Sequence, residues 1–284
     1  MADRRTAIAL YLLIVLLLAP GAAAQDRQGL EKDLQTNYVG KYWIIRGFYG
    51  GGNLVFDTDG RLSRGEAPES WTLAGVEITD LRLHEADVEI QGKRVGYLYD
   101  PKKSAFIHKY RGIYSDKPPQ VETVKITLQI PASAREGTIR QAIESALIAE
   151  NQDLSPEVPG YWRGYVDFTN GANGARLLDK PDWKIRGPFY YSLGKDMTPP
   201  HPLSTPDPDY PAAARKAKIE GIAVVFLVVD KSGGATEVRV KRPVGFGLDD
   251  QAVETVRHWT FQPAERNGEP VAVIMHVEVS FRLN

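Results

Sequence analysis

The chain has few side chains of the kinds that carry out chemistry, and their spacing does not bring them together. It contains no cysteine, which excludes disulfides, thiolate catalysis and Cys-ligated zinc. No Ser or Thr lies in a nucleophile-elbow motif. The five histidines are scattered, at His84, His108, His201, His258 and His276. We therefore predict a protein that is not an enzyme and that has no cofactor and no metal site.

Two short motifs resemble parts of metal sites. Asp57-Thr58-Asp59-Gly60 resembles the beginning of a calcium loop, but the ligands that should follow it, up to Glu66, are not in place. A hairpin turn closed by glycine is the better interpretation. His84-Glu85 lacks the second histidine, four residues on, that the zinc-protease helix requires. Both motifs are expected at the surface.

Composition indicates a globular protein with more than one domain. The chain has 284 residues, 43% apolar and 25% charged, which is enough to bury a core and more than one domain usually holds. The net charge is −1, and no block of like charges is present. A nucleic-acid partner is therefore not expected.

The first residues have the pattern of an export signal. Arg4 and Arg5 precede the apolar run Ala7 to Ala19, and the small residues Ala22 to Ala24 follow it. The apolar run is about 13 residues, shorter than the ~20 that span a bilayer as a helix. We predict that residues 1–24 are a signal peptide cleaved after Ala24. An uncleaved anchor remains the alternative.

Residues 25–197 are predicted to form a β-rich domain, a small meander or partial barrel. Short β segments alternate with turn residues, and a helix is predicted near 134–150 because Ser133 and Glu136 form a capping-box pattern. The candidate strands are Lys41 to Tyr49, Leu54 to Phe56, Trp71 to Leu73, Val76 to Leu83, Val88 to Gln91, Arg94 to Tyr99 and Val121 to Ile130.

The aromatic residues of this domain have two interpretations. They can fill the core, or they can enclose a small apolar ligand as closed barrels do. Both interpretations stay open from the sequence. The residues concerned are Trp43, Tyr49, Phe56, Trp71, Tyr97 and Tyr99.

A proline-rich segment, 198–209, separates the second domain from the first. Its prolines favour extended polyproline II and disfavour both helix and sheet, so we predict an interdomain linker. They are Pro199, Pro200, Pro202, Pro206 and Pro208.

Residues 210–284 show alternating strands and helices. Ile222 to Val229 and Ala235 to Lys241 predict a hairpin, and Leu248-Asp249-Asp250 begins a helix with acidic residues at its positive end. The last strand, Val271 to Leu283, alternates between two faces. The face expected to pack on helices has Val271, Val273, Met275, Val277, Val279 and Phe281; the wetter face has Ala272, Ile274, His276, Glu278, Ser280 and Arg282.

A strand of this kind at a sheet edge is a template for an added strand, because its outer N–H and C=O groups are free. The region also contains a set of spaced motifs: Tyr210-Pro211, Ile219-Glu220-Gly221, Val238, Trp259 with Phe261, Gln262-Pro263 and Gly268 with Pro270-Val271. With these motifs, the region resembles the C-terminal domain of the TonB energy transducers over about 75 residues.

The resemblance implies a fold class and a site. The fold is α+β: the β-rich domain followed by a small three-stranded antiparallel sheet with flanking helices. In the family, the last strand accepts the extended TonB box of a receptor by β-augmentation. The implied partner-binding residues are Asp209, Tyr210, Ile274, His276, Glu278 and Ser280, with Asp209 standing where well-known members often have a polar amide.

The resemblance also implies partners. These are an outer-membrane TonB-dependent receptor or another envelope protein, and ExbB/ExbD-like inner-membrane proteins if the chain is anchored. The expected location is the periplasm, and the expected role is transmembrane transport. Two departures are that the first apolar run ends in a cleavage site, and that a folded domain replaces the family's long Pro-rich span. The alternative is a soluble periplasmic adaptor or small-ligand-binding protein without energy coupling.

Overall fold

The structure is a computed structural model that describes residues 19–113, 119–180, 191–192, 194 and 196–283. Its α-helices are α1 (Ala19–Tyr38), α2 (Glu136–Ala146), α3 (Ala212–Lys216) and α4 (Leu248–Arg257). Single 3-10 turns lie at Arg46–Phe48, Trp71–Leu73 and Gly160–Trp162.

The strands fall into two groups along the chain. The first group is β1 (Tyr42–Ile45), β2 (Asn53–Phe56), β3 (Leu62–Arg64), β4 (Gly75–Leu83), β5 (Asp87–Asp100), β6 (Ala105–Tyr110), β7 (Gly112–Ile113), β8 (Gln120–Val121), β9 (Thr123–Gln129), β10 (Leu147–Ala149), β11 (Val166–Asp167) and β12 (Arg176–Leu177). The second group is β13 (Tyr191–Ser192), β14 (Met197–Thr198), β15 (His201–Ser204), β16 (Gly221–Val229), β17 (Ala235–Arg242), β18 (Thr260–Gln262), β19 (Ala264–Arg266), β20 (Glu269–Val271) and β21 (Val273–Phe281).

Eight strands of the first group form one sheet in the order β10-β1-β4-β5-β9-β2-β3, with β6 also paired to β5, and β7-β8 and β11-β12 form separate two-stranded sheets. The strands β4, β5 and β6 follow one another as a meander, but β2 pairs with β9 in parallel. The α+β class is confirmed. The meander prediction holds for the middle of the sheet only.

Helix α1 covers one face of this sheet. Leu34 and Tyr38 are buried against the strands, and Leu30 packs beside them. The helix is continuous across the predicted cleavage position between Ala24 and Gln25. Within the described part of the chain, no helix combines the length and the apolar character needed to cross a membrane.

The helix predicted near 134–150 is shorter than expected. It begins at Glu136 without a side-chain cap, so the capping box at Ser133 does not form, and it ends at Ala146. Residues Leu147–Ala149 are instead strand β10, paired with β1. These residues are apolar, and pairing at the edge of the sheet buries Leu147 and Ile148 while supplying backbone hydrogen bonds.

The predicted strand at Trp71 to Leu73 is also wrong, because these residues form a 3-10 turn. Ser70 caps the turn by accepting a hydrogen bond from the backbone N–H of Thr72. The turn directs Trp71 into the core, where its ring lies 5.1–5.5 Å from those of Tyr97, Phe106, Trp162 and Phe168. Aromatic packing thus fills the space in which an apolar ligand would have to sit.

The turn interpretation of the Asp57 motif is confirmed. It connects β2 to β3, and the Asp57 carboxylate accepts hydrogen bonds from the backbone N–H groups of Asp59 and Arg61. Gly60 has φ +76°, which L side chains rarely adopt. The acidic side chain serves the turn itself.

Four strands of the second group form a sheet in the order β13-β21-β16-β17. The predicted hairpin is present as β16 and β17, and β21 pairs antiparallel with the whole of β16. The expected three-stranded antiparallel sheet therefore has one addition, the short parallel strand β13. The long final strand is divided, with β20 turning back on β19 and β21 continuing the sheet.

The linker prediction needs correction. Met197–Thr198 pairs with β19, and His201–Ser204 pairs with β18, so parts of residues 198–209 lie in strands. Proline is tolerated there because these are edge strands, where a missing N–H is not needed for a second neighbour. A register shift between Pro202 and Ser204 accommodates the ring. The segment lies along the C-terminal part of the protein.

The two parts of the protein share one hydrophobic core. A single cluster of contacting buried side chains includes Trp71 and Tyr97 from the first part and Phe246, Val253 and Phe281 from the second. A second cluster lies between α1, α2 and the first sheet. The C-terminal part therefore does not stand apart from the β-rich part.

Candidate strand-accepting edge and domain junction

Strand β21 has one side that is open to an added strand. All nine of its residues pair with β16 on the other side. On the open side, β13 pairs with Val273 and Ile274 only. Along Met275–Phe281, no other strand of the described residues takes this side. This stretch presents the free backbone groups on which β-augmentation depends.

The two faces of β21 differ as the sequence predicted, except that Ala272, just before the strand, is buried and not on a wet face. Val273, Val279 and Phe281 are buried against the helices, with Met275 and Val277 partly buried beside them. The opposite face has His276, Glu278 and Ser280 exposed. Ile274 lies on that face but is half-buried against a small cluster that includes Tyr165, Phe226 and Val228.

His276 lies beside a cation on the exposed face. Its Nε2 is 3.1 Å from Nζ of Lys241, and its ring centroid is 5.6 Å from that of Phe226. Burial lowers the pKa of His276, and the charge of Lys241 lowers it further. The imidazole is thus favoured in its neutral form, which accepts a hydrogen bond from the ammonium group.

Asp209 and Tyr210 lie near the far end of the strand, not along it. The Tyr210 ring meets Phe281 edge to face at 5.7 Å, and its hydroxyl donates to the backbone oxygen of Ile219. The guanidinium of Arg215 lies 5.2 Å above the Tyr210 ring. Together they border a groove of about 720 Å³. Its lining residues are Pro208, Asp209, Tyr210, Arg215, Lys218, Arg282 and Leu283.

The structure therefore places the six predicted site residues in two neighbouring groups. Ile274, His276, Glu278 and Ser280 share one face of β21, whereas Asp209 and Tyr210 lie at the groove. Phe281, at the end of β21, contacts the Tyr210 ring and so connects the two groups.

A second important site is the junction between the two parts, which the sequence did not identify. Asp250, in the first turn of α4, accepts hydrogen bonds from Tyr161 (2.7 Å), from the indole N–H of Trp162 (3.2 Å) and from Ser70. Burial raises the pKa of Asp250, and these three donors oppose that rise. From the sequence it was only an acidic residue at a helix N-terminus. Its partners are 88–180 residues away, so no local signal could have found them.

The loop before α4 continues the junction through its backbone. The N–H of Phe246 donates to the oxygen of Tyr97 at 3.0 Å, and the N–H of Tyr99 donates to the oxygen of Val244 at 2.8 Å. The N–H of Gly247 donates to Oγ1 of Thr72 at 2.8 Å. The loop thus adds to β5 in the manner of a short strand.

An open cleft of about 650 Å³ lies beside these contacts. On its wall, Arg111 binds Glu69 (2.7 Å) and Glu122 (3.0 Å), and Lys216 from the C-terminal part reaches Glu122 at 3.4 Å. Arg94 donates to the backbone oxygens of Tyr49 and Gly51. Burial lowers the pKa of Arg94 to about 10, and nearby Arg111 adds to this. The charged groups on the cleft wall mainly hold its own loops together.

The fold defines an α+β protein in which a β-rich part is joined to a small mixed sheet with helices on one face. The family described as Gram-negative bacterial TonB protein C-terminal matches residues 206–283. Those residues therefore belong to the TonB C-terminal domains, as the resemblance implied.

Curated relatives match over a region of similar length. Protein tonB2 of Pseudomonas aeruginosa is 35% identical over 83 residues, which are 29% of this chain and 31% of that protein. Protein TonB of Xanthomonas campestris pv. campestris (strain B100) is 35% identical over 78 residues, which are 27% of this chain and 35% of that protein. The chain thus spans about a third of the length of the curated relatives it matches. These matches support the prediction of a protein that is not an enzyme.

A solved structure is also similar, the solution NMR structure of Pseudomonas aeruginosa TonB CTD. It covers 32% of this chain and 92% of its own, with 21% sequence identity and a TM-score of 0.24. A TM-score this low carries no argument about the fold, so the α+β class rests on the helices and strands of this chain.

Over the described residues, no three His, Cys, Asp or Glu side chains lie close enough together to hold a metal ion.

Proposed function

We propose that this chain is a TonB-like periplasmic protein that binds an extended segment, the TonB box, of an outer-membrane receptor. The observation that carries the proposal is the open side of β21 from Met275 to Phe281 in a TonB C-terminal domain. A receptor segment would pair there through its backbone, with side chains contacting His276, Glu278 and Ser280. Asp209 and Tyr210 would border the end of the bound segment.

The absence of cysteine allows a direct test. Ser280→Cys places a thiol on the open strand, and Thr236→Cys places a matched thiol on β17, at the opposite edge of the same sheet. Heptapeptides copied from receptor TonB boxes and bearing an activated disulfide are added to the full chain. We expect Ser280→Cys to react about 10-fold faster, since binding raises the local peptide concentration.

A peptide with a central proline is the control. It should remove the difference between the two variants, because proline supplies no N–H to a strand pair. Equal rates for both variants with every receptor peptide would exclude strand addition at β21.

Energy coupling is the finer part of the proposal. A transducer has to stay in the inner membrane through residues 7–19 and engage ExbB/ExbD-like proteins, whereas an adaptor would be released after Ala24. Intact mass measured in separated membrane and periplasmic fractions decides between them. Full-length protein in the membrane supports transduction of energy for transport. A soluble form beginning at Gln25 supports the adaptor.

A small-ligand function receives less support. The aromatic residues considered for an apolar cavity are packed against one another around Trp71, and Tyr97 is completely buried. We therefore propose that the β-rich part acts by holding the TonB C-terminal domain, through Asp250 and the loop at Phe246.

A further inference from the structure

The edge assigned to the receptor segment already has a short strand on it. Tyr191 pairs with Val273, and Ser192 pairs with Ile274, in parallel. These two residues of β13 come from the chain itself, from the segment just before the proline-rich region. They take the first two positions of β21, and the open stretch begins at the next residue.

The residues that follow β13 in the chain bind to the same domain. Asp196 makes an ion pair with Arg266 at 2.8 Å, and Met197–Thr198 pairs with β19 directly afterwards. Only the short connection from Ser192 to Asp196 separates β13 from this attachment. A segment tethered so closely has a high effective concentration at its binding position, even when its own contact is small.

The contact of β13 is small compared with the rest of the sheet. Two of its residues are paired, whereas β16 pairs with nine residues of β21. Pairing this short can be exchanged for a longer strand from another protein without disturbing the β16–β21 ladder. Nothing else in the sheet has to open for this exchange, because the other side of β21 is held throughout.

We infer that β13 is an intramolecular competitor for the receptor segment. A receptor strand that extends over Val273 and Ile274 must displace Tyr191 and Ser192, whereas a strand confined to Met275–Phe281 need not. The inference rests on the proposed function, since it concerns the same edge. Because such a strand binds only molecules in which the edge is free, its apparent affinity is the intrinsic affinity multiplied by the fraction of molecules with a free edge. Binding of such a receptor strand is thereby coupled to the release of Tyr191 and Ser192 from β21.

The test uses the full chain and fluorescein-labelled nine-residue peptides that contain receptor TonB boxes, long enough to pair with all of Val273–Phe281. Ser192→Pro removes a backbone N–H from β13 and disfavours its pairing. Gly194→Pro makes the same change two residues later, at an exposed position outside the strands. We expect peptide anisotropy to show about 5-fold tighter binding for Ser192→Pro, the size expected from losing one net hydrogen bond of the competitor. Gly194→Pro should bind like the unchanged chain.

Amide exchange of Val273 to Met275, measured without peptide, provides an independent reading. Faster exchange in Ser192→Pro alone, with β16 still protected, supports the competitor. If Ser192→Pro loses protection in β16 as well, Tyr191→Pro replaces it. Equal peptide affinity for all variants, with binding still at Ser280→Cys, would overturn the competitor and leave the proposed function intact. No peptide binding by any variant would instead remove the proposed function, and the competitor with it.

Discussion

Two neighbouring aspartates at the start of α4 have different partners. Asp249 accepts hydrogen bonds from the backbone N–H groups of Val244 (2.8 Å) and Gly245 (2.6 Å), within its own domain. Asp250 receives its side-chain donors from the β-rich part. Asp249 therefore stabilises the loop that contains Phe246, and Asp250 binds the first turn of α4 to the β-rich part.

Asp249 should make stability depend on pH. Burial raises its pKa from 3.8 to about 7. Between these values the folded state binds more protons than the unfolded state, so the free energy of unfolding falls as pH rises from about 4 to about 7. We expect Asp249→Asn to weaken this dependence, because it removes the ionisable group. Below about pH 4, where Asp249 is protonated, the substitution should cost about 1–3 kcal/mol, since the amide nitrogen cannot accept the second backbone N–H.

Urea unfolding at a series of pH values between 4 and 8 measures this effect. Asp209→Asn is a matched control, because Asp209 is exposed and the substitution is the same. Asp250 contributes to the pH dependence of every variant, so the difference between curves reports Asp249 together with its electrostatic interaction with Asp250. Curves of the same slope for Asp249→Asn and the unchanged chain would contradict the assignment.

The hairpin of β16 and β17 depends on a tight turn at Asp230-Lys231-Ser232-Gly233-Gly234. The Asp230 carboxylate accepts hydrogen bonds from the N–H groups of Ser232 and Gly234. Gly233 has φ +85°. Its backbone N–H donates to the oxygen of Asp230, and its own oxygen accepts a hydrogen bond from the N–H of Phe261. The turn thus connects the hairpin to strand β18.

Two glycine substitutions separate steric contact from backbone strain. A Cβ at Gly233 would lie 1.9 Å from the backbone oxygen of Phe261, whereas Gly268, with φ +81°, has open space around it. Alanine at Gly268 should cost about 1 kcal/mol, the strain of a positive φ. Alanine at Gly233 should cost several kcal/mol more, because the backbone of β18 must move. Chemical denaturation of both variants provides the comparison, and equal losses would show that the contact is relieved at little cost.

At the scale of the whole molecule, the β-rich part and the TonB C-terminal domain are packed as one body. They share a core, and the Lys216–Glu122 ion pair and the Asp250 hydrogen bonds cross between them. The linker strands β14 and β15 lie against the C-terminal domain. Under the proposed function, a pull on a receptor segment bound at β21 would be transmitted to the β-rich part through this junction.

Asp250→Ala should weaken the junction. It leaves the hydroxyl of Tyr161 and the indole N–H of Trp162 without their acceptor, at a cost of about 1–3 kcal/mol. Glu254→Ala, at an exposed position of the same helix, should change stability by less than about 0.5 kcal/mol. We expect amide exchange at Val244 to Gly247 to rise in Asp250→Ala only. Unchanged protection there would show that the shared core holds the two parts without this carboxylate.

The sequence by itself determined the features that depend on local pattern. The continuous apolar run of β16 and the acidic start of α4 at Leu248 were predictable from residue types, and the alternation of β21 was predictable from the period of two of a strand. The resemblance at Tyr210-Pro211 and the surrounding motifs identified the C-terminal domain.

Only the tertiary structure decided the features that depend on distant partners. Trp71 lies in a 3-10 turn because an aromatic core surrounds it, and Leu147–Ala149 leaves the helical pattern because β1 offers an edge. Asp250 joins the two parts, and Ser192 pairs beside Ile274, through residues more than 80 positions apart in the chain. Hydrogen bonds and burial of this kind come from the fold as a whole, and a local sequence pattern does not specify them.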